Sequence, residues 1–477
     1  MTQKKFIKPP GRRARDKFEE EAVTAVVSPL PKKSVKSPKI KSGKNAKKPV
    51  IIQNAGSLLL QATLSAAREQ YGDEHIVAAG EASGLLIGIP IPFAMQYVIQ
   101  NNIWPLSRVV ELVGVEKSNK SSLGFEVARW FSLVDGMATL FENETKYSED
   151  MAQSIVGYAD EFVPPKEILG HIPCYSNDDW QTKVSFGIEA AKKLMYNGIF
   201  EEVNGRKRQV VKPSGRTIPI CVILDSLAGG ICEENIRKIE KAGHGGRSHP
   251  AEALANTQYF KKLRSDLAKW PISFVVVNHL RKQKAENGPH IERRTPGGKH
   301  VSFQESFQLE LSKERHFEYV DTRPGAVSLS INGNRIAIQC RRSGIGEEMR
   351  KIAVNLTWWY DRSPITGRPR QYSRWQWEEA TVDLLLEQKG SAAARVRDIV
   401  DIHAAKNGRF WSKKLGISKQ SPATKLDLGM ALDKDATIMT QIADLMAIKS
   451  RVIMHAGDDY KKLIDRQVGK LQRKLAK

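Results

Sequence analysis

One stretch constrains this chain more than any other: residues 108–132, RVVELVGVEKSNKSSLGFEVARWFS. Val109 to Val113 is a β-branched run broken by a single Glu, which predicts a buried strand, and Gly114 ends it. Leu123, Phe125, Val127, Ala128 and Phe131 then return at helical spacing. Between strand and helix lies GVEKSNKS, which fits the phosphate-loop pattern G-x-x-x-x-G-K-[ST] everywhere but at Asn119, where the pattern has its second glycine. That glycine serves an unusual backbone conformation, and Asn is among the other residues that best tolerate positive φ. Gly114, Lys117, Ser118, Asn119, Lys120, Ser121 and Ser122 are therefore expected to cradle the phosphates of ATP. Lys120 would reach the β- and γ-phosphates, and the Ser121 hydroxyl would reach Mg²⁺. A plain polar strand-to-helix turn is the competing reading.

Three further apolar runs end in polar groups suited to the same chemistry. Residues 220–228, ICVILDSLA, predict a strand that presents Asp225 beside the loop as a second Mg²⁺ group. Phe274 to Val277 delivers Asn278 and His279, and Ala138 to Phe141 delivers Glu142 and Glu144. Buried strands that end in such groups predict an α/β fold with a largely parallel sheet, whose ligands sit at the carboxyl ends of the strands.

Charge points to the partner. Lys and Arg total 75 against 53 Asp and Glu, a net +22 that favours an anionic polymer over an acidic small substrate. Residues 1–49 hold 15 of the basic residues against 4 acidic ones, too few apolar groups to fold alone, and read as a disordered basic tail. A solubilising tail, a nucleic-acid tether and a localisation signal all fit that composition. Cys174, Cys221, Cys232 and Cys340 lack metal spacing and read as buried thiols of a reducing compartment. The most apolar run, 85–99, is too short and proline-interrupted for a bilayer, and the charged first 20 residues carry no secretory signal. No membrane is expected, and the location expected is the cytoplasm.

Along the chain, 50–105 reads as an N-terminal helix (57–71), a short strand near Ile76 and the approach to the central strand. The nucleotide-binding core is expected over 106–355, with a helix at 184–196, a basic hairpin-like insertion at 201–216 and a helix at 254–267. An unstructured basic stretch follows at 281–300, then strands at 307–311, 326–331 and 335–338. Residues 356–374 read as a linker and 375–477 as a small, mostly helical C-terminal domain, in which Arg409, Lys413 and Lys414 form a duplex-contacting surface or a solvated edge.

The core resembles the RecA family of homologous recombinases, over most of 53–355 and in consistent order. LLQATLSAAREQYGDEHIVAAGE looks like the family's N-terminal segment and WPLSRVVELVG like its approach to the P-loop. Glu144 falls where the family keeps its water-activating glutamate, Asp225-Ser226 at Walker B, and Gly297-Gly298 with Phe303 at the end of the second DNA-binding loop and an adjacent subunit contact. The K-S-x-K-S form of Lys117 to Ser121, and Asn278-His279 in place of Asn-Gln, are more similar to the phage UvsX-like branch. Asn119, Pro250 and Cys340 depart from the pattern, and Cys340 takes one of two lysine positions that act on a neighbouring subunit's nucleotide.

The resemblance implies a RecA-like core and a DNA-dependent ATPase that forms a helical homo-oligomeric filament on single-stranded DNA and exchanges strands with double-stranded DNA. A loading factor and a single-strand-binding protein would be its further partners. Glu144 and Lys120 would be catalytic, with Arg342 acting on the neighbour's nucleotide, and Asn278 and His279 would sense the γ-phosphate. DNA would meet Arg281, Lys282, Lys284, Arg293, Arg294, Gly297, Gly298 and Lys299 of the second loop, and Arg247 of the glycine-rich first loop, 242–249. Two other readings stay open: a ring-forming motor of the same superfamily, and a nucleic-acid filament protein that binds ATP with little turnover.

Overall fold

The computed structural model describes residues 86–162, 166–174, 179–203, 206–211, 215–227, 249–284, 291–294, 307–321, 329–343, 349–455 and 457–475. The chain divides into two compact units, 1–60 and 61–477, and every described residue belongs to the second. The basic tail, the helix at 57–71, the strand near Ile76, Arg247 with the rest of 242–248, Cys232, and Gly297, Gly298, Lys299 and Phe303 lie outside the described residues.

Strand β1 (Ile87–Pro90), helix α1 (Phe93–Ile99) and strand β2 (Ile103–Pro105) lead to the central strand β3 (Arg108–Gly114) and helix α2 (Lys120–Leu133). Strand β4 (Met137–Glu142), helix α3 (Glu149–Val156), strand β5 (Leu169–Pro173) and helix α4 (Trp180–Asn197) follow. The basic insertion is an antiparallel hairpin of β6 (Ile199–Val203) and β7 (Arg206–Val211), as its composition predicts. Strand β8 (Ile220–Asp225), helix α5 (His249–Leu267) and strand β9 (Ile272–His279) complete the parallel part.

Nine strands form one sheet, and β12 (Phe307–Asp321), β3, β9, β8, β4 and β5 run parallel in that spatial order. The two-residue strand period divides its side chains between two cores. Val110, Leu112, Cys221, Ile223, Val275 and Val277 face α2 and α3, whereas Val109, Val222, Leu224, Phe274 and Val276 face α4 and α5. Nearly continuous apolar strands are the signature of a sheet covered on both faces.

The remainder departs from expectation in three places. The stretch 281–300 is not wholly irregular, because β10 (Arg281–Lys284) pairs antiparallel with β11 (Ile291–Arg294). β12 runs on to Asp321, and the two strands expected at 326–331 and 335–338 are one, β13 (Leu329–Ser343). Asn332-Gly333-Asn334 reads as a turn, but Gly333 pairs with Phe317, and a Cβ there would lie 2.3 Å from the Phe317 ring. The glycine makes room for an aromatic on the neighbouring strand. Finally, the segment read as a linker holds the end of β14 (Lys351–Arg362) and β15 (Pro369–Trp375), which extend the sheet antiparallel beyond β13.

The C-terminal region contains α6 (Trp377–Leu386), α7 (Gly390–Val400), the hairpin of β16 (Ile402–Ala404) and β17 (Phe410–Ser412), α8 (Lys425–Lys434), α9 (Ala436–Leu445), the two-residue β18 (Val452–Ile453) and α10 (Tyr460–Leu475). Its helices share a core around Val382, Leu385, Leu428 and Ile442. It is also stitched to the rest of the unit: β18 joins β1 and β2 in a separate three-stranded sheet, and the Tyr460 hydroxyl meets Ser107, just before β3. Trp377 packs 5.7 Å from Trp130 of α2, and both indole N–H groups donate to the fully buried Glu126, each at 3.0 Å. Burial pushes the Glu126 carboxyl upward against the pull of Arg129 and the two indoles. Helix α2 is thus clamped from behind by a residue 251 positions away from Glu126.

Candidate nucleotide site

β3, β9, β8 and β4 are consecutive neighbours in the sheet, so the groups at their carboxyl ends are brought side by side. After Gly114 the chain turns through Lys117 (φ 61°) and Asn119 (φ 66°, ψ 29°), both left-handed, before α2 begins at Lys120. Asn119 thus adopts the glycine-like conformation that its side chain tolerates. Gly114 itself is required, because a Cβ would lie 2.4 Å from both the Leu311 carbonyl oxygen and Ser118 Oγ.

Lys120 is 5% exposed, and its Nζ donates to the Val115 carbonyl at 2.8 Å. Burial draws its pKa down, while Asp225, Glu144 and Glu116 oppose that shift. The Ser121 hydroxyl donates to Asp225, whose carboxyl is raised by burial and held back by Ser121 and Lys120. Ser118 Oγ is buried with no hydrogen-bond partner. An amine, hydroxyls and the uncapped N-terminus of a 14-residue helix on one loop make an anion cradle.

The structure separates Glu142, the last residue of β4, from Glu144, two residues beyond it. Glu142 is nearly fully buried, and its Oε1 accepts from the backbone N–H groups of Lys146 and of Tyr147, the latter at 2.9 Å. Its Oε2 faces His171 Nε2 at 3.4 Å, and the Tyr147 and His171 rings stack at 3.9 Å. Glu142 therefore fixes the turn 143–147, and that turn aims Glu144. Glu144 Oε1 accepts from the Ser226 hydroxyl and lies 2.8 Å from His279 Nε2, while Oε2 takes Lys146 Nζ at 3.1 Å. The His279 hydrogen bond, with help from Ser226 and Lys146, holds the Glu144 carboxyl well below the ordinary range, against the effect of burial. The peptide bond Asp225–Ser226 is cis.

Lys120, Ser121, Asp225, Glu142, Glu144, Lys146 and His279 line a cleft of about 430 Å³, with Lys117, Asn119 and Ser122 on its loop side and Phe125, Leu140 and Met151 as its apolar wall. Asn278 is not among the residues that line it. Its side chain is fully buried, its Nδ2 donates to Glu111 Oε1 at 2.8 Å, and its Oδ1 accepts from the His279 backbone N–H at 2.9 Å. Gln308 donates to the other Glu111 oxygen. Glu111, the one Glu within the β-branched run, thus ties together the strands that bracket residues 280–306.

Arg342 lies near the end of β13, and its register partner Gln308 pairs with Glu111, three residues before the strand end at Gly114. It sits away from this cleft's end of the sheet and is not among the residues lining the cleft. Cys340, two residues earlier on β13, is fully buried with its thiol donating to the Arg342 carbonyl at 3.3 Å. Arg281, Lys282, Lys284, Arg293 and Arg294 lie on the β10–β11 hairpin, directly after the strand that ends at His279.

Sequence reasoning missed Glu111, Lys146, Tyr147, His171 and Gln308, and it named Ser226 without a role. The lone Glu in an apolar run was the available signal for Glu111. The others become visible only when strands are placed side by side. Comparison with known proteins gives no match, neither to a family model nor to a curated protein. The class that the fold defines is a mixed α/β protein with a large, mostly parallel central sheet, and its polar cleft lies at the carboxyl ends of four neighbouring strands.

Proposed function

We propose that this chain is an ATPase of the RecA family of homologous recombinases, from its phage UvsX-like branch, which forms helical filaments on single-stranded DNA and exchanges strands with a duplex. The observation that carries this reading is the convergence of Lys120, Ser121, Asp225, Glu144 and His279 on one cleft beside a loop of phosphate-binding form. The residues fit such a ligand: Lys120 and Ser121 line the cleft at the uncapped N-terminus of α2, and that amine and helix end call for negative charge.

Lys120 and the first turn of α2 bind the phosphates, and Asn119 shapes the loop around them. Among the described residues no three His, Cys, Asp or Glu could hold a metal by themselves. Ser121 and Asp225 would hold Mg²⁺ jointly with phosphate oxygens. When bound, Mg²⁺ supplies neutralisation of the charge that develops on the phosphates. Glu144 orients the attacking water and takes its proton, and Ser226, His279 and Lys146 keep that carboxylate ionised and aimed. His279 precedes the basic segment directly, so order imposed there by a DNA backbone reaches Glu144 through one hydrogen bond. Arg342, remote from its own cleft, serves the nucleotide of an adjacent copy.

The burial of Cys340 favours a second reading, a filament protein that binds ATP with little turnover, because no cation stands where the family's pattern has one of its two lysines. Imaging the protein with single-stranded DNA and a non-hydrolysable ATP analogue distinguishes filament, ring and monomer, and a steady-state turnover measurement separates the two filament readings. Rings, or monomers only, would reject the recombinase.

A further inference from the structure

Asn119 is where the loop departs from the glycine pattern, and it is also where the loop is tied to another part of the fold. Its Oδ1 accepts from Asn334 Nδ2 at 3.2 Å. Asn334 lies on β13, is 7% exposed, and accepts at its own Oδ1 from His316 Nδ1–H of β12, also at 3.2 Å. His316 and Asn334 are register partners, and the His316 ring rests 5.9 Å from Trp358 of β14. A chain of two hydrogen bonds thus runs from the loop to the antiparallel arm, between residues 215 positions apart. Backbone needs alone would be met by glycine, the least strained residue at φ 66°. Glycine, however, would leave the buried Asn334 amide without this acceptor.

We propose that Asn119 and Asn334, with His316 behind them, form a latch that holds the P-loop in its phosphate-binding shape. On this account residue 119 is set by the β12–β13 arm and not by the loop pattern. The three are positioning residues: they act through the loop backbone and Lys120, and the inference rests on the nucleotide reading of the cleft. It has a counterintuitive consequence, since Asn119→Gly, which restores the general phosphate-loop pattern, should impair the site.

The test titrates a fluorescent ATP analogue with Mg²⁺, and measures turnover and melting without nucleotide, for wild type, Asn119→Gly, Asn334→Leu, the double variant and Lys120→Ala. Loss of one buried hydrogen bond predicts about fivefold weaker binding for each single variant. The double variant should lose less than the sum of the two singles, because both remove the Asn119–Asn334 hydrogen bond. KM should rise by a larger factor than kcat falls, since the latch acts on the loop that holds the phosphates. Binding by Asn119→Gly as tight as wild type, or losses that add in the double variant, would overturn the latch, as would lower melting temperatures with affinity intact. Wild-type binding by Lys120→Ala would instead reject the nucleotide site itself, and the latch with it.

Discussion

Replacing Glu144 by Gln isolates the chemistry of the cleft from its architecture. Gln keeps the length and an acceptor for the Ser226 hydroxyl and His279, and it loses the negative charge and with it the pairings to Lys146 and to His279. Because Lys146 is 64% exposed, its pair with Glu144 contributes less than about 1 kcal/mol, and nucleotide affinity should change little. The proton acceptor is gone, and general-base loss lowers turnover by roughly 10²- to 10⁴-fold, about 3–5 kcal/mol of barrier. The assay is phosphate release at saturating ATP and single-stranded DNA, beside analogue binding. pH gives an independent check. Since hydrogen bonds depress the Glu144 carboxyl, it stays ionised in wild type throughout about pH 5–8, and no acid limb in that range should belong to it. A depressed carboxyl also stabilises the fold above its unfolded pKa and loses that contribution as pH falls below about 4. The melting gap between wild type and Glu144→Gln should therefore narrow in acid. Wild-type turnover by the variant refutes the assignment, whereas an acid limb within about pH 5–8 that vanishes on substitution would keep Glu144 as the base and refute its depressed carboxyl.

Two single substitutions, one mixture of two variants and one charge neutralisation test separate parts. Gly114→Ala should disrupt nucleotide binding, because its Cβ would lie 2.4 Å from the Leu311 carbonyl; intact affinity would mean that the loop yields there. Glu126→Leu should lower stability by about 1–3 kcal/mol for each of the two indole N–H groups it orphans, read by denaturant melts, and an unchanged midpoint would remove the clamp from the account. Mixing Arg342→Ala with Lys120→Ala protein should restore part of the hydrolysis that each alone lacks, since a mixed boundary can pair an intact loop with an intact arginine; no activity at any mixing ratio would count against the role in trans. Neutralising Arg281, Lys282, Arg293 and Arg294 on the β10–β11 hairpin should reduce the salt slope of single-stranded DNA affinity by about 0.7 for each phosphate no longer neutralised, with ATP affinity kept. An unchanged slope would make that hairpin a bystander.

The sequence by itself determined the strand–loop–helix of 108–132, the four apolar strands and their polar ends, and the tolerance of Asn119 for positive φ. Local spacing is enough for these, because a strand buried on both faces has to be apolar throughout and a helix repeats on its own period. It also determined the basic excess, which is a sum over side chains. Only the tertiary structure decided what each polar group at the cleft is bonded to. Glu142 and Glu144 are two residues apart and chemically alike, yet one is consumed by backbone N–H groups and the other is aimed by residues 82 and 135 positions away. Asn278 and His279 are adjacent, but the alternation of the strand end buries the first against Glu111 and gives the second to Glu144. The long arm 312–321 was unreadable for the opposite reason: it is mostly exposed, so no buried period marks it, and pairing with β13 alone holds it straight. Asn119 joins the two levels, because its conformation follows from the chain around it, whereas its partner Asn334 becomes a neighbour only when β13 is laid beside the loop.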